Sequence, residues 1–286
     1  MTNRQLTSRR NCFAKAGLDP QFYDKFMGIF CQEILTREPG AQKYVDDPAL
    51  LTEVFEMMNE AWQETVYPPN QPALPQAEIP FDELYNLPGY LTALLECWHN
   101  WTIKSIANSI SFIRLHPELQ RECLVLADGF GAASFMMAAA FPNVPVKCHI
   151  MGTSSLDLCN AICHKLQFSN LEIVAQPGTV PIVLAFECFE HFYEPQIFAE
   201  PVLAKCHMLV HSSPWRIAAH GHFKEYKIDD TPTPAAEVPR AFGQWLKKLG
   251  FVSSVKTYNF RFFNGDPEMY FKDVDQLQST ISTRPG

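Results

Sequence analysis

No run of the 286-residue chain approaches the roughly 20 apolar residues of a membrane span, and Met1–Leu18 carries arginines without the apolar core of a secretory leader. These absences predict a cytoplasmic protein with no membrane partner. A basic excess is also lacking: the formal net charge is -8, which argues against a broad electrostatic footprint for DNA or RNA. No repeated Cys-x-x-Cys pair is present. The nine cysteines are scattered, a pattern expected of reduced core thiols rather than of disulfides or zinc. Internal repeats and low-complexity tracts are missing as well, so neither a solenoid nor a disordered tail is expected. What the chain does have is 47% hydrophobic residues, enough for a sizeable core in one large domain or two small ones.

The apolar pattern divides the chain. Phe22, Phe26, Ile29 and Phe30, then Leu51, Val54, Phe55 and Met58, recur at helical spacing, which predicts two or three helices between Asp19 and Trp62. Prolines 68, 69, 72, 75 and 80 then remove backbone donors, so 67–80 is expected to be a linker or an extended wrapping segment. Helical spacing resumes from Leu84 to Leu115 and ends at His116-Pro117. Residues 1–117 are therefore read as a helical domain: a lid, a substrate-selecting layer or a homodimer surface.

From 118 to 286 short apolar runs alternate with longer helical ones. Cys123–Ala127, Val146–Met151, Leu171–Ala175, Ile182–Phe186 and Cys206–His211 are candidate strands, and Ala132–Phe141, Leu156–Leu166 and Gln196–Leu203 candidate helices. Such alternation predicts an α/β domain, a mostly parallel sheet covered by helices, with ligands at the carboxyl ends of its strands. A last helix, Ala241–Leu249, precedes Phe251–Tyr258 and Met269–Phe271, a candidate antiparallel edge pair. The first strand runs into Asp128-Gly129-Phe130-Gly131, a turn whose glycines let a ligand approach the backbone ahead of a helix N-terminus.

Ile182–Pro195 carries an apolar strand followed by Glu187, Glu190, His191, Glu194 and Pro195. This segment resembles the strand-four region of class I S-adenosylmethionine-dependent methyltransferases, with its Glu-x-x-Glu-His and following acidic residue and proline. His222–Tyr226 and Phe242–Phe251 are similar to later segments of the same family, so the resemblance covers roughly half of the chain. It implies a Rossmann-like fold and S-adenosylmethionine as cofactor, held by Asp128, Gly129, Phe130, Gly131, Met151, Gly152, Thr153, Gln176, Phe186 and Glu187. His191 falls where some small-molecule O-methyltransferases place a general base, with Glu190 beside it; the other reading is that Glu190 or Glu194 holds His191 in a structural hydrogen bond. Trp98, Trp215, His222 and Tyr226 are the candidate substrate contacts.

The chain departs from the family at named places. Ala127 stands where the first motif is ordinarily acidic, and Asp128 falls one residue later. Val146–Thr153 offers no carboxylate for the ribose at the end of the second strand, and Ala175-Gln176 ends the third. Each lost contact is worth on the order of 1–3 kcal/mol where a buried partner goes unpaired. Either Thr153, Ser154 and backbone amides supply the contacts, or the domain no longer binds the cofactor. The expectation is methyl transfer to an oxygen or nitrogen of a small molecule. The alternatives are a catalytically degenerate binding or regulatory protein, and a methyltransferase acting on protein or RNA.

Two further clusters are read as structural. His207, His211, His220 and His222 do not complete a recognised ligand spacing, so they are expected to line a pocket or pack in the core, with no metal site. Ser212–Trp215 is similar to the Pro-Pro-aromatic loop of amino-group DNA methyltransferases but follows the fifth strand, and is read as a pocket-edge turn. His99 and Trp101 beside Trp98 could cap a cavity, although aromatic residues at helical spacing are more often core.

Overall fold

Cys123–Val125 (β1), Ile182–Phe186 (β4) and Met208–Ser212 (β5) are buried at every residue. Runs this short and uniformly apolar are stable only with both faces covered, as in a parallel sheet. The computed structural model describes residues 11–14, 16–70, 73–97, 101–215, 219–253 and 268–272. With Val146–His149 (β2), Leu171–Val174 (β3), Val252–Ser253 (β8) and Glu268–Phe271 (β9), these strands form one seven-stranded sheet in the order β3-β2-β1-β4-β5-β9-β8. The first five are parallel, and β9 runs antiparallel to both β5 and β8. This is the Rossmann-like sheet expected from the resemblance, with its antiparallel edge pair. Residues 254–258 of the expected Phe251–Tyr258 strand lie outside the described residues.

Strand order reverses between β1 and β4. Chains leaving those two strands turn to opposite sides, which opens a crevice outside their carboxyl ends. The Asp128–Gly131 turn and the Glu187–His191 segment both lie at that crevice.

Alternating side chains split the core into two layers. Cys123, Val125, Ile182, Leu184, Met208 and Val210 face one layer, while Leu124, Leu126, Val183, Ala185 and Leu209 face the other. The helical half contributes to both. Helices Pro20–Arg37 (α1) and Trp101–Leu115 (α4) pack on the first layer with Ala132–Ala140 (α5) and Thr153–Leu166 (α6). Trp62 and Val66, at the end of Leu51–Val66 (α2), pack on the second layer with Ile79 and Leu84, under Pro195–Leu203 (α7) and Val238–Lys248 (α8).

The 67–80 segment is thus a wrapping one: Gln76 Oε1 accepts the Tyr193 N–H at 2.8 Å, and Ile79 is buried. The chain passes from one layer to the other between α2 and Tyr90–Cys97 (α3), near the carboxyl ends of the strands. There it leaves Tyr85 and, on α3, Tyr90 above the crevice.

One element was not expected. Glu225–Ile228 (β6) and Thr231–Pro234 (β7) form a separate hairpin, turned by Asp229 and Asp230 at φ 53° and 59°. Aspartate tolerates that left-handed region better than most residues, and two such residues make a tight turn compatible with strand twist. The Thr-Pro-Thr-Pro run of β7 hid it, since proline argues against a strand unless it lies at an edge. No helix among the described residues is long and apolar enough to cross a membrane.

Phe130, from the glycine turn, stacks on Phe30 of α1 with ring centroids 4.3 Å apart, both rings fully or almost fully buried. Replacing Phe30 with Ala should therefore cost about 3–5 kcal/mol, read as a lower urea midpoint at unchanged slope.

Candidate active site

The turn after β1 is shaped by its own carboxylate. Asp128 accepts hydrogen bonds from the Ala133 N–H at 3.1 Å, the Ser134 N–H at 2.7 Å and Ser134 Oγ at 2.5 Å. Those amides are the unpaired donors of the first turn of α5, so Asp128 caps the helix. Burial nevertheless pushes its carboxyl up to about 6. Gly131, at φ 95°, leaves no room for a side chain: a Cβ would stand 2.7 Å from Cys159 Sγ. Gly129, at φ 53°, has open space where its Cβ would be. The Gly129 tip of this turn therefore leaves room for a ligand, whereas Phe130 is buried against α1.

Beyond β2, Met151 is exposed and Gly152 begins α6 with no side-chain cap. Thr153 is exposed, while Ser154 Oγ bonds Asn86 Oδ1. A cavity of about 300 Å³ lies here, lined by Arg37, Glu38, Tyr85, Asn86, Tyr90, Ser154 and Asp157 among others. Asp157, on α6 rather than at the strand end, supplies its α6 carboxylate. Gln176 is exposed past the end of β3.

The densest chemistry follows β4. Phe186 stays in the core, and Glu187 then takes φ 50°, just as Ala127 takes φ 49° at the end of β1. Left-handed non-glycine residues at two adjacent strand ends are costly and mark a place where side chains are aimed rather than merely packed. Glu190 is wholly buried, and neither of its carboxylate oxygens, nor Glu187 Oε1, makes a hydrogen bond of good geometry. Burial raises both carboxyls, and the Glu190 charge raises Glu187 further.

His191 Nε2 lies 4.0 Å from Glu190 Oε1, and its Nδ1 lies 3.1 Å from Tyr85 Oη. Burial, reinforced by His222 and His220, lowers the His191 pKa well below its ordinary value, so the ring is neutral at pH 7. The His222 ring packs edge-on to it at 5.0 Å. His220 directs Nδ1 at the Met58 carbonyl, 2.9 Å away, which fixes the proton on Nδ1 and leaves a buried, bare Nε2.

Aromatic groups hold this cluster in place. Tyr226 donates to the Glu190 carbonyl at 3.0 Å, and Trp62 Nε1 donates to the His222 carbonyl at 3.0 Å. Glu190, His191, His222 and Tyr226 are thus brought together, Tyr226 as a support rather than a facing group. Trp215 is packed in the second layer against Tyr226 and Phe242. Trp98 lies outside the described residues. Of the four clustered histidines, His220 and His222 join the site; His207 is exposed, and His211 is buried among Phe189, Phe242 and Tyr270.

Tyr85 and Trp62 were not anticipated as site residues. They read as ordinary helical-half aromatics, and no local spacing ties them to strand four.

The strand order and the crevice define a Rossmann-like α/β fold. No family model matches the chain, and no curated protein does. Among solved structures it is similar to a methyltransferase from Pyrococcus furiosus, at 13% identity over 59% of this chain and 84% of that one, TM-score 0.39. It is also similar to precorrin-6y C5,15-methyltransferase from Geobacter metallireducens GS-15, at 12% identity over 58% and 87% of the two chains, TM-score 0.38. A third likeness is to the O-methyltransferase of a trans-AT PKS multienzyme of Brevibacillus brevis in complex with S-adenosyl-L-homocysteine: 11% identity, 46% and 47% of the chains, TM-score 0.34. At such values the strand order, not the superposition, carries the fold assignment.

Asp128→Ala should cost about 1–2 kcal/mol by loss of the helix cap, measured by urea unfolding. Gly221 sits at φ 83°, where a Cβ would fall 2.2 Å from His191 Nδ1. Gly221→Ala should therefore destabilise the fold by more than about 1 kcal/mol and shift the His191 and Tyr85 side-chain NMR signals.

Proposed function

We propose that this protein is an S-adenosylmethionine-dependent methyltransferase acting on an oxygen or nitrogen of a small molecule. The observation that carries the reading is the placement of the Glu187, Glu190 and His191 cluster beside an open glycine turn, at the switch point of a class I methyltransferase sheet. When bound, the cofactor supplies an electrophilic methyl group, and the enzyme's task is to position the acceptor in line with it and to handle the acceptor's proton.

The residues fit the cofactor in part. Gly129 leaves room for close approach to the turn after β1, and the cavity beside Ser154 and Asp157 offers polar groups at the end of β2 where ribose hydroxyls would lie. Asp157 takes the place of the carboxylate missing from the strand end. Acceptor chemistry falls to Glu190 and His191, beneath Tyr85. His191 is the accessible member, with 26% of its side chain exposed against none for Glu190. The aromatic roof of Tyr85, Tyr90 and His220 favours a small acceptor over a nucleic acid or protein chain, and the net charge of -8 agrees.

A second reading has its own observation. Asp128 is committed to the helix cap and no carboxylate ends β2, which suits a binding protein that has lost the cofactor.

Calorimetric titration with S-adenosylmethionine separates the two: saturable binding is expected, and none at millimolar cofactor would leave only the second reading. With radiolabelled cofactor and a cell extract, label should enter the small-molecule fraction. His191→Ala should lower that transfer by about 10²–10⁴-fold while cofactor affinity stays within about threefold. Label confined to macromolecules would overturn the acceptor class.

A further inference from the structure

We propose that Glu190, His191 and His222 form a site for one divalent transition-metal ion at the acceptor end of the crevice, with Glu187 beside it. One potential ligand atom from each of the three lies within 4.8 Å of the others. Atoms bound to a common ion at about 2.0–2.2 Å stand roughly 3–4 Å apart, so side-chain shifts of about 1 Å close the site.

The carboxylates supply an independent observation. Glu190 is wholly buried and neither of its oxygens makes a hydrogen bond of good geometry, although the Ser213 hydroxyl and the Cys188 backbone lie close by; Glu187 Oε1 is likewise unbonded. Among the described residues no lysine or arginine pairs with either, and His191 Nε2 stands 4.0 Å from Glu190 Oε1. Two adjacent buried carboxyls are ionised only at a cost unless a cation balances them, and buried charges are ordinarily paired or bound to metal. A dication satisfies both at once.

Ligand chemistry and support agree. Two imidazoles and one carboxylate suit zinc, cobalt or manganese, and three protein ligands leave a coordination position open. Each ligand residue is braced by an aromatic side chain from another element: His191 Nδ1 by Tyr85, the Glu190 carbonyl by Tyr226 and the His222 carbonyl by Trp62. With Nδ1 engaged by Tyr85 Oη, Nε2 is the His191 nitrogen that faces Glu190. Such outer contacts fix the tautomer and orientation of metal-binding histidines. Trp62 and Tyr85 come from the helical half, so that half completes the site.

The ion's role rests on the methyl-transfer reading, although its binding does not. A hydroxyl acceptor at the open position would be held and acidified by the ion, which makes an oxygen nucleophile the acceptor class and His191 a ligand.

The test is Co²⁺ titration of chelator-stripped, folded protein, followed by calorimetry and visible absorption. One equivalent should bind, giving ligand-field bands without an intense thiolate charge-transfer band. Glu190→Gln and His222→Ala should each weaken binding at least about tenfold, and exposed His207→Ala should leave it unchanged. Circular dichroism identifies any variant that fails to fold, in which case the wild-type stoichiometry and the other variant decide. No stoichiometric binding, a thiolate band, or unchanged affinity in a folded Glu190→Gln or His222→Ala would overturn the site. Cofactor titration of the same samples keeps the two ideas apart. Ion binding without cofactor binding sinks the methyltransferase reading alone, and the reverse sinks the metal site alone.

Discussion

The reversal of strand order between β1 and β4 is the constraint on which the rest of this structure depends. Two parallel strands whose chains leave to opposite faces cannot close the space beyond their ends. That space collects the Gly129 tip, the Glu187–His191 segment and the strained residues Ala127 and Glu187. Layers on both faces of the sheet need covering, and the helical half covers both, with Tyr85 and Tyr90 beside the opening.

Electrostatics then gives the crevice its character. Asp128 and Glu190 are both buried carboxylates, yet they differ in one respect. Asp128 takes three hydrogen bonds at a helix N-terminus, where a negative charge is favoured, whereas neither Glu190 oxygen makes a hydrogen bond of good geometry. A satisfied carboxylate serves the fold. An unsatisfied one, pressed against Glu187 and the imidazoles of His191 and His222, is held in place by the scaffold at a cost to stability. Tyr226, Trp62 and Tyr85 provide the hold, through bonds to the Glu190 carbonyl, the His222 carbonyl and His191 Nδ1.

Much of the fold was legible in the sequence because burial in a two-faced parallel sheet demands short, strongly apolar strands. Ile182–Phe186 declares itself by that demand, and the Glu-x-x-Glu-His segment follows directly from it. The β6–β7 hairpin was not legible, since its second strand is half proline and is tolerated only because it lies at an edge. The part Asp128 plays in the fold was not legible either: only the turn geometry brings its carboxylate to the amides of Ala133 and Ser134.

By itself the sequence determined the layered α/β architecture, the antiparallel edge and the acidic-histidine segment at the end of strand four, all of which are local consequences of side-chain periodicity and spacing. Tertiary structure alone decided what surrounds that segment. His222 arrives from a loop after strand five, and Tyr85 and Trp62 arrive from the helical half, through contacts between residues far apart in the chain that no local pattern encodes. The physical reason is that periodicity reports which face of an element is buried, whereas a site depends on which distant side chains share the same few ångströms.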